Sequence, residues 1–206
     1  MLEKLPDALG HALRDQRAGL DKLAYNLSGL RTGLAAIEVS SVAFTDHAPI
    51  PPRYTADGEG LSPPLQWQGV PATAGSLLLI VEDADAPTPR PLVHAIAVDL
   101  PASRSALAEG ELNSSDDDGQ VHVGRNSYLM SGWLPPDPPP GHGPHRYAFQ
   151  VFALLPGDPF SGKPGRDAVL DAIRERALAS GCLIGTYERM DGSIAVAGSQ
   201  GSAAAG

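Results

Sequence analysis

Ser76-Leu77-Leu78-Leu79-Ile80-Val81-Glu82, continuing into Asp83-Ala84-Asp85-Ala86-Pro87, is the stretch whose reading decides the fold. A short apolar run without alternation reads as a central strand covered on both faces. It ends among carboxylates, and Pro87 stops further pairing because proline has no amide hydrogen to give a ladder. Val93-His94-Ala95-Ile96-Ala97-Val98-Asp99-Leu100, closed by Pro101, is a second such run. Tyr147-Ala148-Phe149-Gln150-Val151-Phe152-Ala153-Leu154-Leu155, closed by Pro156-Gly157, is a third. Working outward, residues 37–44 read as a first strand and 182–189 as a last one, with proline- and glycine-rich turns between. Many short strands with one late helix predict a β-sandwich with helical additions, not an alternating α/β sheet.

Composition agrees. The 206 residues suffice for one sizeable core, and 20 prolines with 23 glycines favour short elements joined by turns. A formal charge of -9 excludes the basic face that phosphate backbones require, and it disfavours adsorption to anionic lipid. Cys182 is the one cysteine, so no intrachain disulfide forms; between Gly181 and Leu183 it reads as a buried, inert thiol in a reducing compartment. No apolar leader and no run near the roughly 20 residues of a membrane span is visible, so the expectation is a cytoplasmic protein. The carboxylates at 116–118 read as a solvated loop.

Two helices are expected. Leu9, Leu13, Leu20, Leu23, Leu27 and Leu30 recur at three- and four-residue spacing over 6–30, after Pro6 at a helix start. Gly10 and Gly19 break that pattern and divide it. The segment is either a helix packed on the domain or an apolar face for a partner or second copy. Residues 166–180 carry Val169, Ala172, Ile173 and Ala177 on one face, with Gly181 as the stop. The division expected is a helical extension over 1–36, a domain over 37–193 and a mobile low-complexity tail over 194–206.

The polar residues gather at strand ends. Asp83 and Asp85 follow the first apolar run, His94 opens the second, and Gly141-His142-Gly143-Pro144-His145-Arg146-Tyr147 opens the third. Rigid sheets fix the roots of such loops, so these side chains can enclose one polar pocket. A carboxylate beside an imidazole favours the charged ring, whose free N–H groups then donate to an anion. His94, His145 and Tyr147 would hold a phosphate, sulfate or carboxylate. Arg146 reads as the brace of a loop carboxylate, and His122 and His142 read as surface residues. No zinc spacing, Gly-x-Ser-x-Gly elbow, P-loop or dinucleotide fingerprint is present, so no cofactor or metal is expected.

These segments together resemble the phosphatidylethanolamine-binding protein family, most closely its bacterial Raf-kinase-inhibitor-like branch. Asp57-Gly58-Glu59-Gly60-Leu61-Ser62-Pro63-Pro64-Leu65-Gln66-Trp67 is similar to one family segment. Asp83-Ala84-Asp85-Ala86-Pro87 is similar to the family's Asp-Pro-Asp-Ala-Pro motif, with Ala84 in place of proline. The 141–147 segment resembles the second pocket motif, and Gly185-Thr186-Tyr187-Glu188-Arg189 the closing segment. The resemblance spans about Ile37 to Arg189. It implies a Greek-key β-sandwich of two antiparallel sheets with an anion pocket at one end. Asp83, Asp85, His94, His145 and Tyr147 would line that pocket, with Gly132 and Tyr187 in its wall. Trp133, where a Gly-Pro pair is common, would reshape the mouth. A homodimer is a further implication.

The leading functional expectation is a non-catalytic protein that binds a small anionic or phosphorylated group, a phospholipid head or a phosphorylated partner. The alternatives are an inhibitor of a kinase or other enzyme acting through the loops at the pocket, and a hydrolase with His94 or His145 as base.

Overall fold

The structure, a computed structural model, describes residues 7–30, 36–113 and 121–189. The acidic run at 116–118 and the tail fall outside these residues. The described strands are β1 (Glu38–Ser40), β2 (Ala48–Pro49), β3 (Leu65–Gln68), β4 (Ser76–Asp83), β5 (Leu92–Pro101), β6 (Ala106–Leu107), β7 (His122–Val123), β8 (His145–Leu154) and β9 (Ala177–Tyr187). The α-helices are α1 (Asp7–Leu13), α2 (Ala24–Leu27) and α3 (Arg166–Arg176). Six strands form one sheet in the order β2-β9-β8-β4-β5-β7, and three form a second in the order β1-β3-β6. The predicted two-sheet architecture is present. Pairing is antiparallel apart from β2, which runs parallel to β9 at Ala48 and Pro49.

The apolar run of β4 is continuous because both of its faces are covered. Leu77, Leu79 and Val81 pack between the sheets with Trp67, Phe149 and Leu183. Leu78 and Ile80 point the other way, onto Ala24 and onto Val169, Leu170 and Ile173 of α3. All five β4 side chains are fully buried, each worth about 2 kcal/mol relative to exposure.

Two predicted helices come out shorter. The chain leaves α3 at Arg176, and residues 177–180 join β9, pairing along β8 from Ala177 opposite Leu154 to Tyr187 opposite His145. Gly181 is therefore a strand residue and not a helix stop. A Cβ there would lie 1.9 Å from the carbonyl oxygen of Ile37, so the close pass of residues 36–37 requires glycine. The N-terminal pattern divides at Gly19, whose φ of 103° no helix accommodates. Beyond it a 3-10 turn over Leu20–Lys22 leads into α2, and Ala18, Leu23 and Ala24 are buried on the domain. The first strand stops at Ser40, because the Ser41 hydroxyl accepts the Ala43 amide and donates to the Pro64 carbonyl, turning the chain.

Candidate functional site

Antiparallel pairing brings the polar strand ends together. Asp83, the last residue of β4, lies opposite Tyr147 near the start of β8 and opposite Leu92 at the start of β5. The β4–β5 register shifts between Val81 and Glu82, a bulge that leaves His94 outside the regular pairs and re-aims it. Side chains alternate along a strand, so Asp83, His145 and Tyr147 extend the inter-sheet face beyond the apolar core. Glu82 points to the opposite layer, where it accepts from Arg166 Nε at 2.6 Å, Gln150 Nε2 at 2.9 Å and the Ala24 amide at 2.8 Å.

A cavity of about 280 Å3 opens between these ends. Asp83, His94, His145 and Tyr147 line it with Leu13 of α1 and a proline-rich loop containing Leu134, Pro135 and Asp137. His94 Nδ1 donates to the Leu134 carbonyl at 2.6 Å, and the Leu134 amide donates to the His94 carbonyl at 2.8 Å, so loop and strand are pinned reciprocally. The carbonyl can only accept, so His94 Nε2 is the unprotonated nitrogen. Burial holds the His94 ring below the ordinary imidazole range, against the opposing pull of Asp83. His94 Nε2 and Tyr147 Oη are both buried and have no hydrogen-bond partner. Their rings meet edge to face, 5.0 Å between centroids. Burial, with Asp83 nearby, raises the Tyr147 phenol well above its usual value, so it is a neutral hydroxyl.

His145 is buried and fully engaged. Its Nδ1 lies 2.7 Å from Asp83 Oδ2, and its Nε2 lies 2.6 Å from His142 Nδ1. His142 Nε2 donates to the Leu13 carbonyl at 2.8 Å. His142 is thus no surface residue: it is fully buried. The one trace of this in the sequence is its spacing of three from His145 across Gly143-Pro144.

Four of the seven candidate residues meet at the cavity, and three do not line it. Asp85 lies behind the wall, where its carboxylate accepts from Arg146 Nε and Nη2 at 2.7 Å each and from the Arg146 amide at 2.8 Å. Arg17 adds an ion pair at 3.0 Å. Burial would raise Asp85, but these hydrogen bonds outweigh it and hold the carboxyl below its ordinary range. Arg146 is the brace that its position suggested. Tyr187 donates to Asp57 Oδ2 at 2.5 Å. Arg189 joins Asp57 at 2.7 Å to Asp137 at 2.7 Å, so the closing segment secures the proline-rich loop from outside. Gly132 serves a turn at φ 89°, where a Cβ would stand 2.8 Å from the Leu112 carbonyl. Trp133 is a core residue stacked at 6.1 Å on Phe149, and it does not line the mouth.

Next to the cavity, and sharing Thr88, Leu92 and Tyr128 with it, lies an open groove of about 690 Å3. Arg90, Arg125, Lys163 and Arg166 stand along it with Asp167. Elsewhere, burial pushes the Cys182 thiol up to about 12, which leaves it unreactive at neutral pH. Among the described residues no group of three or more His, Cys, Asp or Glu side chains is arranged to hold a metal ion. No described helix is long and apolar enough to cross a membrane.

A family model for phosphatidylethanolamine-binding protein matches residues 40–188. A "UPF0098 protein" of Methanothermobacter thermautotrophicus is 38% identical over 148 residues, covering 71% of this chain and 95% of its own. Another, from Aquifex aeolicus, is 35% identical over 176 residues, covering 82% and 99%. Among solved structures, a putative phosphatidylethanolamine-binding protein homolog from Chlamydia trachomatis is 35% identical with a TM-score of 0.66, covering 75% of this chain and 99% of that one. Escherichia coli YbcL, described as a member of the mammalian PEBP family, is 26% identical with a TM-score of 0.68 at the same coverage. The order of the motifs, the two sheets and these matches agree: the chain belongs to the phosphatidylethanolamine-binding protein family.

Proposed function

We propose that the protein binds, without transforming it, a small phosphate-type anion in the cavity, and that it prefers the protonated monoanion. One observation carries the reading: His94 Nε2 and Tyr147 Oη are buried polar atoms that lack partners on the cavity wall. Leaving such atoms unpaired costs about 1–3 kcal/mol each, which a suitable ligand recovers. His94 Nε2 offers a lone pair, so it accepts from a P–OH group. Tyr147 donates to a phosphoryl oxygen.

A phosphate monoester loses its last proton near pH 6, and the dianion has no hydrogen to offer His94. Affinity therefore falls as pH rises. In isothermal titration with methyl phosphate, binding should be at least about tenfold tighter at about pH 5.5 than at about pH 8, and Tyr147→Phe should weaken it at both. Equal affinity at the two pH values counts against the proposal.

A second reading, regulation of a protein partner through the loops at the pocket, draws on the adjoining groove. Four cationic side chains against one acidic one make it a positive feature on a chain of net charge -9. The exposed Tyr128, Leu129 and Met130 lie at or beside it. A hydrolase is the least supported reading. The hydroxyls on the cavity wall belong to Thr88, Tyr128 and Tyr147; Thr88 donates to the Arg90 carbonyl, and both phenols are raised by burial. None of them is an activated nucleophile.

A further inference from the structure

Behind the cavity wall a chain of three hydrogen bonds needs more protons than neutral rings supply. It runs from Asp83 Oδ2 to His145 Nδ1 at 2.7 Å, from His145 Nε2 to His142 Nδ1 at 2.6 Å, and from His142 Nε2 to the Leu13 carbonyl at 2.8 Å. Each of the three contacts requires one hydrogen. The carboxylate at one end and the carbonyl at the other only accept, and two neutral imidazoles hold two hydrogens between them.

We propose that the relay carries a third proton, that His145 is an imidazolium paired with Asp83, and that His142 is the positioning residue that makes it so by accepting from His145 Nε2–H. An imidazole ordinarily outcompetes a carboxylate for a proton by about 2.5 pH units, so the extra proton belongs on His145 and not on Asp83. His142 stays neutral, because burial and the neighbouring His145 both push its ring below the ordinary range. Its orientation is fixed from the N-terminal extension. Leu13 accepts from its Nε2, and Arg17 Nη2 donates to its carbonyl at 3.2 Å and Nη1 to the Pro144 carbonyl at 2.9 Å.

The other polar groups at this site do not supply the missing proton. His94, on β5, is held neutral by burial. Tyr147, on β8, keeps its phenol proton, and its ring lies 6.3 Å from that of His145. Asp137, on the proline-rich loop, is paired with Arg189. The Arg146 guanidinium is committed to Asp85.

The consequence concerns charge. With His145 protonated, Asp83 and His145 cancel, and the cavity floor admits an anion. Without an acceptor at position 142 the floor reverts to the single negative charge of Asp83, which repels one. The extension beyond the matched family region is thereby part of the binding site, through the carbonyl of Leu13 and the side chain of Arg17. This consequence for affinity rests on the phosphate-binding reading; the protonation state does not.

The two are separable in one experiment on the full chain. Imidazole 15N–1H spectra at about pH 7 report how many protons each ring holds. The expected result is two on His145 and one, on Nε2, for His142. His142→Phe should leave one on His145 and weaken methyl phosphate binding about tenfold, roughly the cost of one added repulsive charge. His142→Gln, whose amide can accept from His145 and donate to Leu13, should restore both. A wild-type His145 with one protonated nitrogen overturns the proposal, whether or not the Phe variant folds. Two protons on His145 with no methyl phosphate bound would sustain the relay and contradict the binding reading.

Discussion

Asp83 and Asp85 occupy one short motif and do different work. Asp83 faces the cavity and pairs with His145, whereas Asp85 turns away and anchors Arg146 and Arg17. Alternation along an extended segment would send both carboxylates to one side; the turn at residues 84–87 breaks that rule, and only the coordinates reveal it. His142 escaped the sequence for a related reason, since its partner carbonyl lies more than a hundred residues away in an extension with no motif of its own. The residues that were legible are those rooted in strands: Asp83, His94, His145 and Tyr147. Substitution should separate the roles. Asp85→Asn leaves Arg146 and Arg17 with a neutral partner behind the wall and should destabilise the fold by about 2 kcal/mol, read as a lower urea midpoint. An unchanged midpoint would mean that the double arginine clamp contributes nothing.

At the scale of elements, the apolar runs announced β4, β5 and β8 almost to the residue, because a strand covered on both faces leaves no room for polar alternation. The helices were less legible. Residues 177–180 have fair helical propensity, but eleven residues of pairing with β8 outweigh the tenths of a kcal/mol that propensity offers. The leucine spacing at the N-terminus was real, yet its buried members pack on this chain's own sheet, leaving Leu9 and Leu27 as its partly exposed apolar residues. The seating of α1 is tight: a Cβ on Gly10 would lie 1.9 Å from the Pro140 carbonyl oxygen. Gly→Ala inside a helix ordinarily stabilises by about 1 kcal/mol. Here Gly10→Ala should do the opposite, lowering Tm and weakening methyl phosphate binding as Leu13 moves off the cavity. A raised Tm would show that α1 is not held against the proline-rich loop.

For the whole molecule, titration couples the site to the stability of the fold. His94 and His142 are held below the ordinary imidazole range, so the unfolded chain takes up their protons first as pH falls. Their contribution is complete above about pH 6.5 and is lost on acidification below it. Asp85 and Asp57 are held below the usual carboxylate range, so theirs is complete above about pH 4 and is lost below that. The urea midpoint should therefore drop in two stages between about pH 8 and pH 3; a flat profile down to about pH 4 would contradict the buried neutral histidines. The sandwich was legible because its motifs are local and ordered. The cavity's chemistry was less so, because it depends on which polar atoms are left unpaired after the loops close. The most direct measurement is a crystal structure of the protein soaked in methyl phosphate at mildly acidic pH. The account predicts phosphoryl oxygens within hydrogen-bonding distance of both His94 Nε2 and Tyr147 Oη; a phosphate seated only in the outer groove, or none in the cavity, would contradict it.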